Sequence, residues 1–343
     1  MNSAPTFPEQ RLYDVASRWI SNSAAVLRVS DGTTVTATAE LIEVATHCLV
    51  AGLDSPTLRV LAGLDPELRN DEIRPILDSA LSELAIPTPN SIEPWRQLAS
   101  GGQTYSRQPT DTIRFEIQPA DGSVGGHEVL VHVNDTEMTS MGAGMGMDPF
   151  EILIPTNRLV AMAEPTRTPI ARCDCGVYGC GSTDVTIVRV GDVVHWEWHI
   201  EVPMGHGVTF PADLYDAEVA RIAADHSWER PEDTTARTIL EAINHAALAE
   251  HGLKVSWAAR HHENHDLFGI ALWYGSGEYP NDVGYQIFLR VPWQNRSAQQ
   301  VAEDVAGIFA LPPEKWPVTF HSTKPGITTP PPMAGGRWKR EVL

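Results

Sequence analysis

Apolar and polar positions follow two different periods along the chain, and the change of period separates its regions. From residue 10 to about 100 the spacing is helical. Leu12, Val15, Trp19 and Ile20 share one face, as do Leu41, Ala45, Cys48 and Gly52. The strongest pattern places Ile73, Ile76, Leu77, Ala80, Leu81 and Leu84 on one apolar stripe. Ser55-Pro56 and Asp65-Pro66 each read as an N-cap followed by proline at the first helical position. The run IPTPN (86–90) stops the helical pattern, and SGG (100–102) ends the region.

From 103 the period becomes two. Ile113, Phe115 and Ile117 alternate with polar neighbours, as do Val129, Val131 and Val133, with ADGSVGG as the turn between them. A hairpin is expected from strands near 184–190 and 193–202 around Gly191-Asp192, then a helix from Pro211 to His226. The last third reads as a helix over 233–251 stopped by Gly252 and strands near 253–259, 267–274 and 285–291. A final helix is opened by the Ser297/Gln300 capping box. The Pro/Gly-rich tail, with its basic Trp338-Lys339-Arg340, reads as extended or mobile, or as a tether for a partner. The expected class is α+β. Its parts are a helical domain (1–102), an antiparallel β module with a cysteine knuckle (103–230), an αβββα layer (231–322) and the tail (323–343).

Composition narrows the function classes. The 343 residues carry 44 acidic against 25 basic side chains, a formal charge of -19. Nucleic-acid phosphates call for a basic face, so a nucleic-acid partner is not expected. No apolar run approaches the roughly 18–20 residues of a membrane span, and the opening MNSAPTFPEQRLYD lacks a secretory pattern. The expectation is a cytoplasmic protein whose partner is another protein.

Three of the four cysteines, Cys173, Cys175 and Cys180, fall within eight residues in C-x-C-G-x-x-G-C. Clustered thiols in a reducing compartment point to metal or redox chemistry. Zinc takes four thiolate or imidazole ligands in a tetrahedron, so three would be local and a fourth is required. With Gly191-Asp192 as a two-residue turn, facing residues of the hairpin have numbers summing to about 383. Val185 then faces Trp198 and Ile187 faces Trp196, while His195, Glu197, His199 and Glu201 take the other face. Extending that register brings residues 203–210 beside the knuckle and makes His206 the expected fourth ligand. His199 follows, and Cys48, on an apolar helix face, is the poorest candidate. The alternatives are a metal-free glycine-rich turn with reduced thiols, and a redox pair or regulatory disulfide.

This arrangement resembles a loose group of uncharacterised bacterial proteins. The shared features are Cys173, Cys175, Gly176, Gly179 and Cys180, then a strand with Val194 and Trp196, then Phe210 and Tyr215. Val133-Asn134-Asp135 is similar to the turn that precedes the knuckle in that group. The resemblance covers about 127–222 and departs at Gly181-Ser182-Thr183-Asp184; it implies the knuckle as a motif and no activity.

Other clusters read more simply. His261, His262, His265 and Asp266 offer ligands, but in a segment that reads as a solvated turn. The Met138–Met147 loop contains Gly142, Gly144 and Gly146, with the wrong spacing and context for a phosphate loop; it reads as a packed loop or an adaptable apolar surface. Neither a G-x-S-x-G elbow nor a P-loop nor H-E-x-x-H occurs, and Asp225-His226-Ser227 is explained as a helix end. The reading is a non-catalytic protein-binding or adaptor module with a knuckle for structural zinc. Two rivals are a zinc-dependent hydrolase with three cysteine ligands and Glu197 or Glu201 as base, and an immunity-type inhibitor of a basic protein.

Overall fold

The computed structural model describes residues 7–21, 26–28, 34–89, 107–120, 124–275 and 284–341. It divides into two compact units, Met1–Asp225 and His226–Leu343, and the mixture of helices and antiparallel sheets is α+β. The helical and knuckle-bearing regions together make the first unit. The expected boundary at 102, with its SGG signal, lies outside the described residues, as do residues 121–123 of the turn before His127 and the end of IPTPN. Among the described residues, no helix is long and apolar enough to cross a membrane.

The first unit opens with α1 (Phe7–Ser21), a short pair β1 (Val26–Arg28) and β2 (Thr34–Thr36), α2 (Ala37–Val50), α3 (Pro56–Ala62) and α4 (Asn70–Glu83). The helical stripes close on one another: Leu12, Trp19, Leu41, Leu58, Ile73 and Leu77 share one buried cluster. Ser55 caps α3 as expected, its Oγ accepting from the Leu58 amide at 3.1 Å with Pro56 at the first turn. Asp65-Pro66 starts no helix. Asp65 Oδ1 accepts from the Glu67 amide at 2.9 Å, a local turn that satisfies the side chain without a helix, and α4 begins five residues later.

The chain then forms β3 (Ile113–Pro119), β4 (His127–Val133) and β5 (Thr136–Glu137), with Phe115 facing Val131 and Ile117 facing Val129. Next come β6 (Gly144–Gly146), α5 (Pro149–Ile152), β7 (Thr166–Cys173), β8 (Ser182–Val190), β9 (Val193–Ile200), β10 (Val208–Pro211) and α6 (Ala212–Ala223). The second sheet has the order β10-β9-β8-β7-β6, so the knuckle is the connection between β7 and β8. The hairpin register is the expected one, with Val185 facing Trp198 and Ile187 facing Trp196. Trp196 anchors the core, edge-on to Phe210 (5.7 Å) and donating to the Tyr215 hydroxyl at 3.2 Å. The Met/Gly loop is packed: Met138, Met145 and Met147 are buried, and Gly144 pairs with Cys173.

The second unit is α7 (Pro231–Ala242), α8 (His245–Glu250), β11 (Leu253–Arg260), β12 (Leu267–Tyr274), β13 (Tyr285–Pro292), α9 (Ala298–Phe309), β14 (Thr319–Ser322) and β15 (Lys339–Arg340). The expected helix over 233–251 is two helices, because Ile243 adopts an extended backbone that ends the first and Asn244 caps the second through the Ala247 amide (3.0 Å). The Ser297/Gln300 capping box opens α9. The tail is folded. Trp338 is buried, stacks on Trp316 with centroids 6.3 Å apart and donates to the Pro313 carbonyl at 2.8 Å, and the following residues pair with β14.

Candidate metal centre

Each cysteine of the knuckle is placed by local backbone geometry. Cys173 ends β7, its amide donating to the Gly181 carbonyl at 3.0 Å and its carbonyl accepting from the Gly176 amide at 2.8 Å. Gly176 takes φ 81°, a left-handed turn that a side chain would strain and that lets the chain reverse after Cys175. The Cys180 amide donates to the Val177 carbonyl at 3.2 Å and closes the return. The outcome is that Cys173, Cys175 and Cys180 present sulfurs all within 4.8 Å of one another, the latter two exposed. Three sulfurs bound tetrahedrally to one zinc-sized ion at about 2.3 Å stand about 3.8 Å apart. The spacing seen here therefore needs to contract by about 1 Å or less, so the group could hold a metal ion.

The electrostatics of the three thiols differ. The Val177 amide, then the Cys173 and Cys180 side chains, lower the Cys175 thiol below its usual range. Cys180, which neighbours both other sulfurs, is pushed up to about 11. Cys48 stands apart, buried on α2 with its thiol donating to the Pro8 carbonyl at 3.3 Å, and burial pushes it up to about 11.

His206 is not brought into this group. Its Nδ1 lies 3.4 Å from Glu40 Oε1 of α2, and the neighbouring Gly205 amide donates to the same oxygen at 2.9 Å. The reason lies at the end of β9. Ile200 takes φ 65°, a conformation that a β-branched residue rarely adopts, and Pro203 follows. The ladder with β8 ends there, and the chain returns as β10 along the opposite edge of β9, separated from β7 by β9 and β8. His199 is held at 2.7 Å from Thr186 Oγ1, and burial lowers its pKa.

A second polar cluster forms on the face of β9 that carries His195 and Glu197, and this face is sealed as well. Arg18 of α1 donates to Glu197 Oε1 and to the Trp198 carbonyl, both at 2.8 Å. His195 Nδ1 lies 3.0 Å from Thr209 Oγ1, and its Nε2 lies 3.5 Å from Glu197 Oε2. Asp14 pairs with Arg107 at 2.6 Å, and Asp111 pairs with Arg11 at 3.1 Å while accepting from the Thr209 amide at 2.8 Å. Gly207 closes the cluster: a Cβ there would sit 2.5 Å from His195 Cε1 and 2.8 Å from Glu197 Oε2. Burial acts to raise the Glu197 pKa, but Arg18, His195 and Arg107 outweigh it and hold the carboxyl down to about 2. Burial, with Arg107, lowers His195, favouring the neutral ring. Alternation along β9 places His195 and Glu197 together, but no local signal announces partners from α1, 179 positions away in the case of Arg18 and Glu197.

The remaining candidates are structural. His261 Nδ1 accepts from the Asn264 amide at 3.2 Å, and the His265 carbonyl accepts from Trp293 Nε1 at 2.8 Å, so that segment is a hydrogen-bonded turn. Among the described residues, the three-cysteine group is the one arrangement of this kind with metal-ligand spacing. No family model, curated protein or solved structure matches the chain.

Proposed function

We propose that the protein is a non-catalytic protein-binding module whose 173–180 knuckle holds a zinc ion. The observation that carries this reading is the convergence of three sulfurs within 4.8 Å on an exposed hairpin loop. Thiolates select soft or borderline ions, and zinc is the one that needs no redox partner. A bound ion would stiffen a loop whose tip exposes Val177 and Tyr178, at 56% and 41% of their surface, for contact with another protein. The net charge supports a basic partner. The first unit carries 31 acidic against 14 basic residues, whereas the second carries 13 against 11.

The test is metal content with thiol protection. Full-length protein purified without a tag and without oxygen is expected to hold about one zinc per chain and to protect Cys173, Cys175 and Cys180 from alkylation until a chelator is added. Less than about 0.2 zinc per chain after loading, with all three thiols equally reactive before and after chelation, rejects the reading.

One observation favours a second reading, a zinc hydrolase. The Glu201 carboxylate stands beside the knuckle, at 2.7 Å from where a Gly181 Cβ would lie, and could serve as a base. Glu197, the other base considered, is committed to Arg18 beneath α1. Equal hydrolysis of an activated ester by zinc-loaded wild type and by Cys175→Ser would reject the hydrolase.

A further inference from the structure

We infer that Glu201 is the fourth ligand of the cysteine site, completing a three-thiolate, one-carboxylate set for a divalent ion of the zinc type. This rests on the reading of the knuckle as a metal site. It replaces an imidazole as the missing donor and assigns Glu201 to coordination rather than to acid–base work.

Three features of the fold converge on this residue. First, its position is fixed from the backbone. The Glu201 amide donates to the Ser182 carbonyl at 3.2 Å, and its carbonyl accepts from Thr183 Oγ1 at 2.6 Å, so the residue is tied to the strand that leaves the knuckle. Second, its carboxylate lies beside the end of the knuckle. Glu201 Oε1 and Cys173 Cβ lie 2.7 Å and 3.6 Å from one point, the place a side chain at 181 would occupy. Only glycine leaves the carboxylate that space. The left-handed backbone of Ile200, strained for a β-branched residue, immediately precedes Glu201 where the regular ladder ends. Third, the carboxylate is uncommitted: among the described residues it makes no hydrogen bond or ion pair, although Glu201 is half-buried.

The competing donors are all occupied or turned away. His206 is on Glu40, His199 is on Thr186 Oγ1, and Cys48 is buried on α2. Asp174 directs its carboxylate onto Gly144, where a Cβ would meet its side chain at close range. Glu201 lies outside the 4.8 Å grouping of the three sulfurs, so coordination requires its side chain to rotate toward them. Flexible χ angles on a fixed backbone make that change local. Carboxylate oxygen binds zinc at about 2.0–2.2 Å, close to the reach of an imidazole nitrogen, so it can take the fourth tetrahedral position.

The experiment titrates the full chain with zinc against a chromophoric chelator at neutral pH, for wild type, Glu201→Gln, His206→Ala and Cys175→Ser. Glu201→Gln keeps size and polarity and is expected to weaken zinc by about 10- to 100-fold, at least as much as loss of an outer-shell partner. His206→Ala is expected to leave affinity unchanged. Replacing zinc by cobalt gives a readout independent of affinity: wild type is expected to show intense four-coordinate ligand-field bands that change in shape and intensity in Glu201→Gln. Wild-type affinity and spectrum in Glu201→Gln would overturn the assignment of Glu201 while leaving the knuckle site standing. Zinc binding too weak to measure in wild type, indistinguishable from Cys175→Ser, would overturn both.

Discussion

Two places on one β-sheet gather reactive side chains, and they are built in opposite ways. The knuckle between β7 and β8 collects its three thiols from eight consecutive residues, held by turns and left largely exposed. The cluster on β9 collects Asp14, Arg18, Arg107, His195 and Glu197 from distant parts of the chain and buries them beneath α1. In the first, the thiols meet only one another and the loop backbone, and could together hold a metal ion. In the second, each charge already answers another, and an ion pair removed from water is valued by what its loss would expose. Chemistry-bearing residues thus mark a candidate binding site where they are exposed and close together, and a structural clasp where they are buried and paired.

Substitutions sharpen this contrast. The largest effect is expected from Arg18→Met, which leaves Glu197 buried without its cation. The expected cost is about 3–5 kcal/mol in the stability of the first unit, read by chemical denaturation, with zinc affinity unaltered. Adding Glu197→Leu to that variant is expected to recover most of the loss, since an apolar pair can replace a buried ion pair. Cys175→Ser should do the reverse. It is expected to lower zinc affinity by about 100-fold or more, one ligand's share of the roughly 10–16 kcal/mol typical of structural zinc. Its stability without metal should stay within about 0.5 kcal/mol.

Acid separates the two places next. Glu197 is held to about 2 in the fold against 4.5 for an ordinary glutamate, so its stabilisation is complete above about pH 4.5 and is lost as pH falls toward 2. His195 is lowered from 6.5; the unfolded chain therefore takes up its proton first, and stability also falls with acidification below about pH 6.5. Both shifts act in the same direction, so the first unit's melting temperature should fall steadily with acidification below pH 6.5. In Glu197→Gln the component between about pH 4.5 and 2 should disappear. The smallest effect belongs to His206→Ala. It removes a partly exposed contact to Glu40, expected to cost about 0–1 kcal/mol and to change zinc affinity less than twofold.

What was legible in the sequence follows the same division. Alternation and the Gly191-Asp192 turn were enough to place Val185 opposite Trp198, and cysteine spacing was enough to gather the three sulfurs, because both depend on neighbours along the chain. The register could not be carried past Glu201. The left-handed Ile200 and Pro203 end the ladder, and a strand pairing on the far edge of β9 takes His206 to Glu40 instead. The β9 face with His195 and Glu197 read as polar, but only the docking of α1 shows that it is buried. The tail failed for a related reason: its proline and glycine content reads as extended chain, whereas a single Trp338 stacked on Trp316 holds it in the fold.

The most direct test of the central claim, that Cys173, Cys175 and Cys180 form one metal site, is a cobalt titration of the reduced, full-length protein followed by absorption in the near ultraviolet. One equivalent is expected to bring a sulfur-to-cobalt charge-transfer band to a sharp end point, with the intensity of about three thiolates, and zinc is expected to abolish it. No such band, or one that survives unchanged in Cys175→Ser, would contradict the account.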